Sequence, residues 1–167
     1  MFGNETSVAR LSYIERQNPE TSATIIFSAS VRQTCFSSYP IVVDLIEEES
    51  GETLKYFTAN NEFVRPQLDE NHGFLHAANV PPGDYLITLD IGVRRTVSAP
   101  VAHLSLAQND LVYLGEIFID SACAGFGNSD NILINNQAER DLGKAEELNP
   151  AIIAEDVELR ILRFEND

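Results

Sequence analysis

Gly73-Phe74-Leu75-His76-Ala77-Ala78-Asn79-Val80-Pro81-Pro82-Gly83-Asp84-Tyr85-Leu86-Ile87 is the stretch whose reading decides the fold. Pro81 and Pro82 stiffen a turn, Gly83 supplies a backbone angle closed to other residues, and Tyr85 starts a strand. Tyr85, Ile87, Leu89 and Ile91 alternate on one face of that strand, with Leu86, Thr88 and Asp90 on the other. The segment reads as strand, tight turn, strand, with Gly73 to Ala77 before the turn and Asp84 to Ile91 after it.

The same texture extends in both directions. Thr24 to Val31 and Ile41 to Ile46 are rich in β-branched and aromatic residues. Glu47-Glu48-Glu49 with Ser50-Gly51 then reads as a turn, returning through Leu54 to Thr58 as a hairpin with a charged tip. Phe63-Val64 starts a short strand that Pro66 ends, because proline has no N–H for a ladder. Val101 to Leu106 and Leu111 to Ile119 follow, separated by Gln108-Asn109-Asp110. A small-residue loop, Ala124 to Asn131, leads through Ile132 to Ile134 into one helix, Gln137 to Leu148. Asn135 or Asn136 is its expected cap, and Ala138, Leu142, Ala145 and Leu148 form its apolar stripe. A last strand is expected over Val157 to Phe164, with Val157, Leu159 and Ile161 on one face. Residues 1–22 are weakly patterned; Val8, Leu11 and Ile14 hint at a short helix or an irregular arm. With no internal repeat or linker, the pattern predicts an N-terminal arm (1–22) and one β-sandwich domain (23–167).

The turn segment resembles the G-x-F…(L/V)-P-P-G-x-Y signature of carboxypeptidase-regulatory-like and other transthyretin-like (prealbumin-type) domains, over about residues 23–121. Asp110-Leu111-Val112-Tyr113-Leu114-Gly115-Glu116-Ile117 is similar to the G-x-x-V-Y-L-G-x-(I/L) strand of uncharacterised bacterial envelope lipoproteins with such sandwiches. Here Asn109-Asp110 takes the place of their turn glycine. The resemblance implies a mainly β, transthyretin-like, seven- to eight-stranded antiparallel sandwich with one C-terminal helix and a last strand. It also implies an extracytoplasmic protein, periplasmic or anchored to the outer membrane facing the periplasm, through a lipidated cysteine absent from this sequence. It carries no catalytic residue; Gly73, Pro81, Pro82, Gly83 and Tyr85 are structural turn residues.

The chain has 167 residues, 44% hydrophobic and 22% charged, enough for a substantial core without metal or disulfide. Eleven basic against 26 acidic residues give a net charge of −15, a field that repels nucleic acid and anionic lipid. Glu5, Arg10, Glu15, Arg16 and Glu20 interrupt any signal peptide, and no apolar run approaches the roughly 20 residues of a membrane span. The sequence taken as complete is cytoplasmic; with a leader trimmed away it is an envelope protein. Cys35 and Cys123 lie in no zinc-like spacing. Either they form a disulfide, worth about 4 to 5 kcal/mol across so long a loop, or they are two separate buried thiols.

His72, His76 and His103 suggest a metal site, but positions four apart on a strand are roughly 13 Å apart, so they read as surface or hairpin histidines. Ser22, Ser28 and Ser121 lie in no G-x-S-x-G elbow. The basic pair Arg94-Arg95 is read as balancing Asp90 or Glu116. The loop at 125–131, with Asp130 in it and Asp120 before it, offers hard oxygen ligands, which makes a calcium- or small-ligand-binding domain the alternative reading. The expectation is a non-catalytic accessory or protein-binding module of the bacterial envelope, without a cofactor. Its contact surface is expected at a sheet edge or at the tips 47–52 and 79–84.

Overall fold

The computed structural model describes residues 5–7, 9–10, 22–31, 41–57, 68, 72–91, 101–120 and 131–165. Its strands are β1 (Glu5–Ser7), β2 (Ala9–Arg10), β3 (Ala23–Val31), β4 (Ile41–Glu47), β5 (Thr53–Phe57), β6 (His72–Val80), β7 (Gly83–Ile91), β8 (Val101–Leu106), β9 (Leu111–Asp120), β10 (Asn131–Asn135) and β11 (Glu158–Leu159). Helix α1 (Ala138–Leu148) and a 3₁₀ turn (Ala154–Asp156) lie between β10 and β11. One sheet has the order β1-β5-β4-β7-β8; the other runs β10-β9-β3-β6-β2, with β11 also on β9. The described residues are mainly β, with two sheets and one α-helix, an arrangement consistent with a β-sandwich.

Alternation builds the core between the sheets. Ile25, Phe27 and Ala29 of β3, Tyr85, Ile87 and Leu89 of β7, and Leu104 and Leu106 of β8 pack there with Val112, Leu114 and Ile117 of β9. The other faces of β3, β6 and β9 form a second core, in which Ile26, Leu75, Ala77 and Tyr113 meet Leu142 and Ala145 of α1. The helix thus covers one sheet from outside, and its expected stripe is the face that packs.

Several expectations are corrected. The sheets are mixed: β3 runs parallel to β9, β1 to β5, and β11 to β9. Residues 79–84 are not a hairpin tip, because β6 pairs with β3 while β7 pairs with β4 and β8 in the opposite sheet. Pro81 and Pro82 give the connection no N–H with which to zip the two strands together. Instead Tyr85 Oη donates to the Pro81 carbonyl at 2.7 Å and pins the chain as it crosses between sheets. The tip at 47–52 is a true hairpin, with Ile46 opposite Thr53 and Gly51 at φ +72°.

Within the N-terminal arm the described residues are the strands β1 and β2; Val8, Leu11 and Ile14, the basis for expecting a short helix or an irregular arm, lie outside the described residues. Gln137 occupies the helix cap, and Asn136 Oδ1 accepts the Ala138 N–H at 3.1 Å. The last strand is shorter than expected, and Leu159 is 50% exposed while Leu162 is buried. The cause lies in β9. Ile26 pairs with Tyr113, but Ser28 pairs with Glu116, so β9 carries one extra residue at Leu114-Gly115. On the other side, Arg160 and Leu162 donate to the consecutive carbonyls of Tyr113 and Leu114, which shifts the phase of the last segment. Gly115 takes φ +112°, and a Cβ there would lie 2.9 Å from Ile134 Cγ2. Only glycine suits both the angle and the space.

Candidate functional site

The bulge determines which side chains meet under α1. In a regular strand Tyr113 and Glu116 would face opposite ways; the added residue turns both toward the helix. Ser28 reaches the same face from β3, and Arg140 and Asp141 descend from the first turn of α1. Asp141 Oδ2 accepts from Ser28 Oγ and from Tyr113 Oη, each at 2.5 Å. Its Oδ1 accepts from Arg140 Nε at 2.8 Å. Arg140 Nη2 bridges on to Glu116 Oε2 at 2.5 Å, and Asn135 Nδ2 donates to Glu116 Oε1 at 3.1 Å.

Ser28, Glu116 and Asp141 are sealed from solvent. Burial pushes the Tyr113 hydroxyl well above the usual tyrosine range, and the Asp141 carboxylate beside it adds to the shift. Burial works to lower the Arg140 pKa, but its hydrogen bonds to Glu116 and Asp141 prevail and hold the guanidinium charged. Serine, tyrosine, arginine and two carboxylates are thus in contact, yet their donors and acceptors are turned on one another. The arrangement clasps α1 to the sheet rather than presenting a nucleophile to a substrate.

The polar groups that face solvent lie elsewhere, at the margin of the sandwich where β8 approaches the C-terminal segment. A groove of about 460 Å³ runs between His103–Ala107 and Arg160–Leu162. Arg160 Nη1 donates to the Ser105 carbonyl at 2.5 Å and lies 3.0 Å from Asp110 Oδ2, while Nη2 meets Glu158 at 2.8 Å. The hydrogen bond to Arg160 draws the Glu158 pKa down, and the reciprocal bond raises that of Arg160. His103 lies between Glu48, 2.9 Å from Nδ1, and Glu165, 3.0 Å from Nε2. Ser105 Oγ donates to Asp84 Oδ1 at 2.5 Å.

Of the residues singled out in the sequence, His103 is at the surface, but His76 is not. It lies fully buried between the sheets, its ring stacked on Phe27 with centroids 5.4 Å apart. The inward phase of β6, which carries Ala78 and Val80 into the same core, puts it there. Glu116 serves Arg140; Arg94 and Arg95 lie outside the described residues, as do Cys35, Cys123, Asp130, Phe63 and Val64. Asp120 ends β9. Among the described residues no three His, Cys, Asp or Glu side chains gather as a metal cage.

Gly73 and Tyr85 act structurally: a Cβ on Gly73 would meet Ser30 Cβ at 2.8 Å, and Tyr85 fastens the crossover. Nothing in the spacing of Tyr113, Asn135, Arg140 and Asp141 marks them as a group. The available signal was Asp141, which sits beside Leu142 within the apolar stripe between Ala138 and Ala145, where a carboxylate demands partners. No protein-family model matches the chain, and no curated protein matches it.

Proposed function

We propose that this chain is a non-catalytic, transthyretin-like β-sandwich that serves as an accessory or protein-binding module of a bacterial cell envelope. The observation that carries the reading is the burial of the Ser28–Tyr113–Asp141–Arg140–Glu116 cluster, which commits these reactive side chains to holding α1. Solvent-facing polar groups are instead arrayed along a strand edge and its groove, the format of a recognition surface on a rigid scaffold. The segment that resembles transthyretin-like domains and the one that resembles envelope lipoproteins also have structural work in this fold. Gly73 to Ile87 carries the chain from one sheet to the other, and Asp110 to Ile117 contains the bulge that organises the clasp. No described helix is long and apolar enough to cross a membrane.

The test is site-specific photo-crosslinking in bacterial cells, with the reactive side chain placed in turn at the exposed positions His103, Leu133 and Ile153, followed by fractionation. A discrete adduct with an envelope protein from at least one position is expected. Absence of adducts at all three, with the chain recovered in the cytosolic fraction, would refute the reading.

A further inference from the structure

We propose that the outer edge of β8 and the groove beside it dock an extended, cationic segment of a partner protein, added to the sheet as one more strand. This rests on the protein-binding reading above and specifies its surface and the partner's chemistry.

Among the described strands β8 pairs with β7 alone, and its other side forms the sheet edge, where the Arg160 side chain reaches it. Asp84 gives its carbonyl to the Glu48 N–H, away from β8, so the Asp84–Ser105 pair is one whose backbone groups turn outward. The N–H and C=O of Ser105 therefore face the open side, and so do those of His103 two residues earlier. Arg160 Nη1 already sits on the Ser105 carbonyl at 2.5 Å, a side-chain donor at the place where a neighbouring strand's N–H would bond. Beneath that edge the groove is floored by Leu104, Leu106 and Leu162, which gives alternate side chains of an added strand an apolar seat.

Charge selects the occupant. Glu48, Asp84, Asp110, Glu158 and Glu165 surround the edge, against Arg160 and His103, both of which are engaged with these carboxylates. A second copy of the chain would bring the same acids and another −15 charges to the contact, so edge-to-edge pairing of two copies is opposed. A strand carrying lysine or arginine on its solvent face meets the opposite field.

The probe is the peptide acetyl-Lys-Val-Lys-Val-Lys-Val-amide, with acetyl-Glu-Val-Glu-Val-Glu-Val-amide as its charge-reversed control. Saturation with the lysine peptide is expected to slow hydrogen exchange at the His103 and Ser105 amides by roughly tenfold or more, and the glutamate peptide to leave them unchanged. S105P removes the outward N–H and is expected to abolish that protection in a protein whose melting is otherwise cooperative. Should S105P fail to fold, E48Q/E165Q decides: loss of two exposed charges predicts about fivefold weaker binding. Equal protection by both peptides, protection confined to the β10 amides near Leu133, or a concentration-dependent dimer that protects β8 by itself would each overturn the inference. Adducts at Leu133 but not at His103 in the cellular crosslinking would also overturn it while leaving the protein-binding reading intact. Absence of all adducts refutes that reading instead.

Discussion

Removing the Asp141 carboxylate tests the clasp most directly. In D141A the Ser28 and Tyr113 hydroxyls, both buried, lose the oxygen they share, and Arg140 keeps Glu116. A buried polar group stripped of its partner costs about 1 to 3 kcal/mol, so two hydroxyls and one severed ion pair predict a loss of about 3 to 5 kcal/mol. Against a total stability of about 5 to 15 kcal/mol this is a large fraction. In urea, with a slope of about 2 kcal/mol per molar, the midpoint should fall by about 2 M. The second arm is the triple variant S28A/Y113F/D141L, which removes the orphaned hydroxyls together with the charge. Because vacating all partners costs less than stranding some, its midpoint should recover at least half of the D141A loss. A D141A midpoint within about 0.3 M of the parent, or a triple variant no more stable than D141A, would refute the reasoning.

Tyr113 also sets an alkaline limit. Its pKa is raised in the folded chain above the ordinary value of 10.0, so the unfolded chain releases this proton first, and stability present below pH 10 is lost as pH rises. The decline attributable to this group is about 1.4 kcal/mol per pH unit above 10, read from urea midpoints, and Y113F should flatten it. Gly115→Ala, pressed against Ile134 at a left-handed angle, is expected to lose about 2 kcal/mol in the same assay; an unchanged midpoint would contradict the bulge. Among the described residues the buried Ser30 Oγ has no hydrogen-bond partner, so S30A should hold or gain stability by about 0.5 to 1 kcal/mol, and a loss above about 1 kcal/mol would reveal a partner. Tyr85→Phe removes the bond to the Pro81 carbonyl and should cost about 1 kcal/mol, with faster hydrogen exchange around Gly83 as its local sign.

Alternation alone made most of the strands legible. Tyr85, Ile87 and Leu89 turn inward because the period of a half-buried strand is two, and α1 packs through Leu142 and Ala145 because the period of a helix is 3.6. Which sheet a strand joins is a different kind of information. Two strands separated by Pro81-Pro82 look like a hairpin to any local rule, and only the competing partners β3 and β4 separate them. The place of His76 is set by the inward phase it shares with Ala78 and Val80, which the spacing of the histidines does not convey. The clasp was hidden for a related reason. Glu116 shares a face with Tyr113 only through a one-residue bulge, whose one mark in the sequence is Gly115 inside an otherwise regular strand pattern.

The parallel pairing of β3 with β9 also bears on force. The first strand of the expected domain, β3, and the last, β11, both run parallel to β9, and β3 lies beside β9 from Thr24–Leu111 to Val31–Ile119, so tension between the two ends would be carried through these parallel pairs. Tension applied along such a pair slides one strand past the other, so its hydrogen bonds share the load at once instead of opening in succession like a zipper. For the protein-binding module proposed above, that geometry makes the sandwich a link that resists extension.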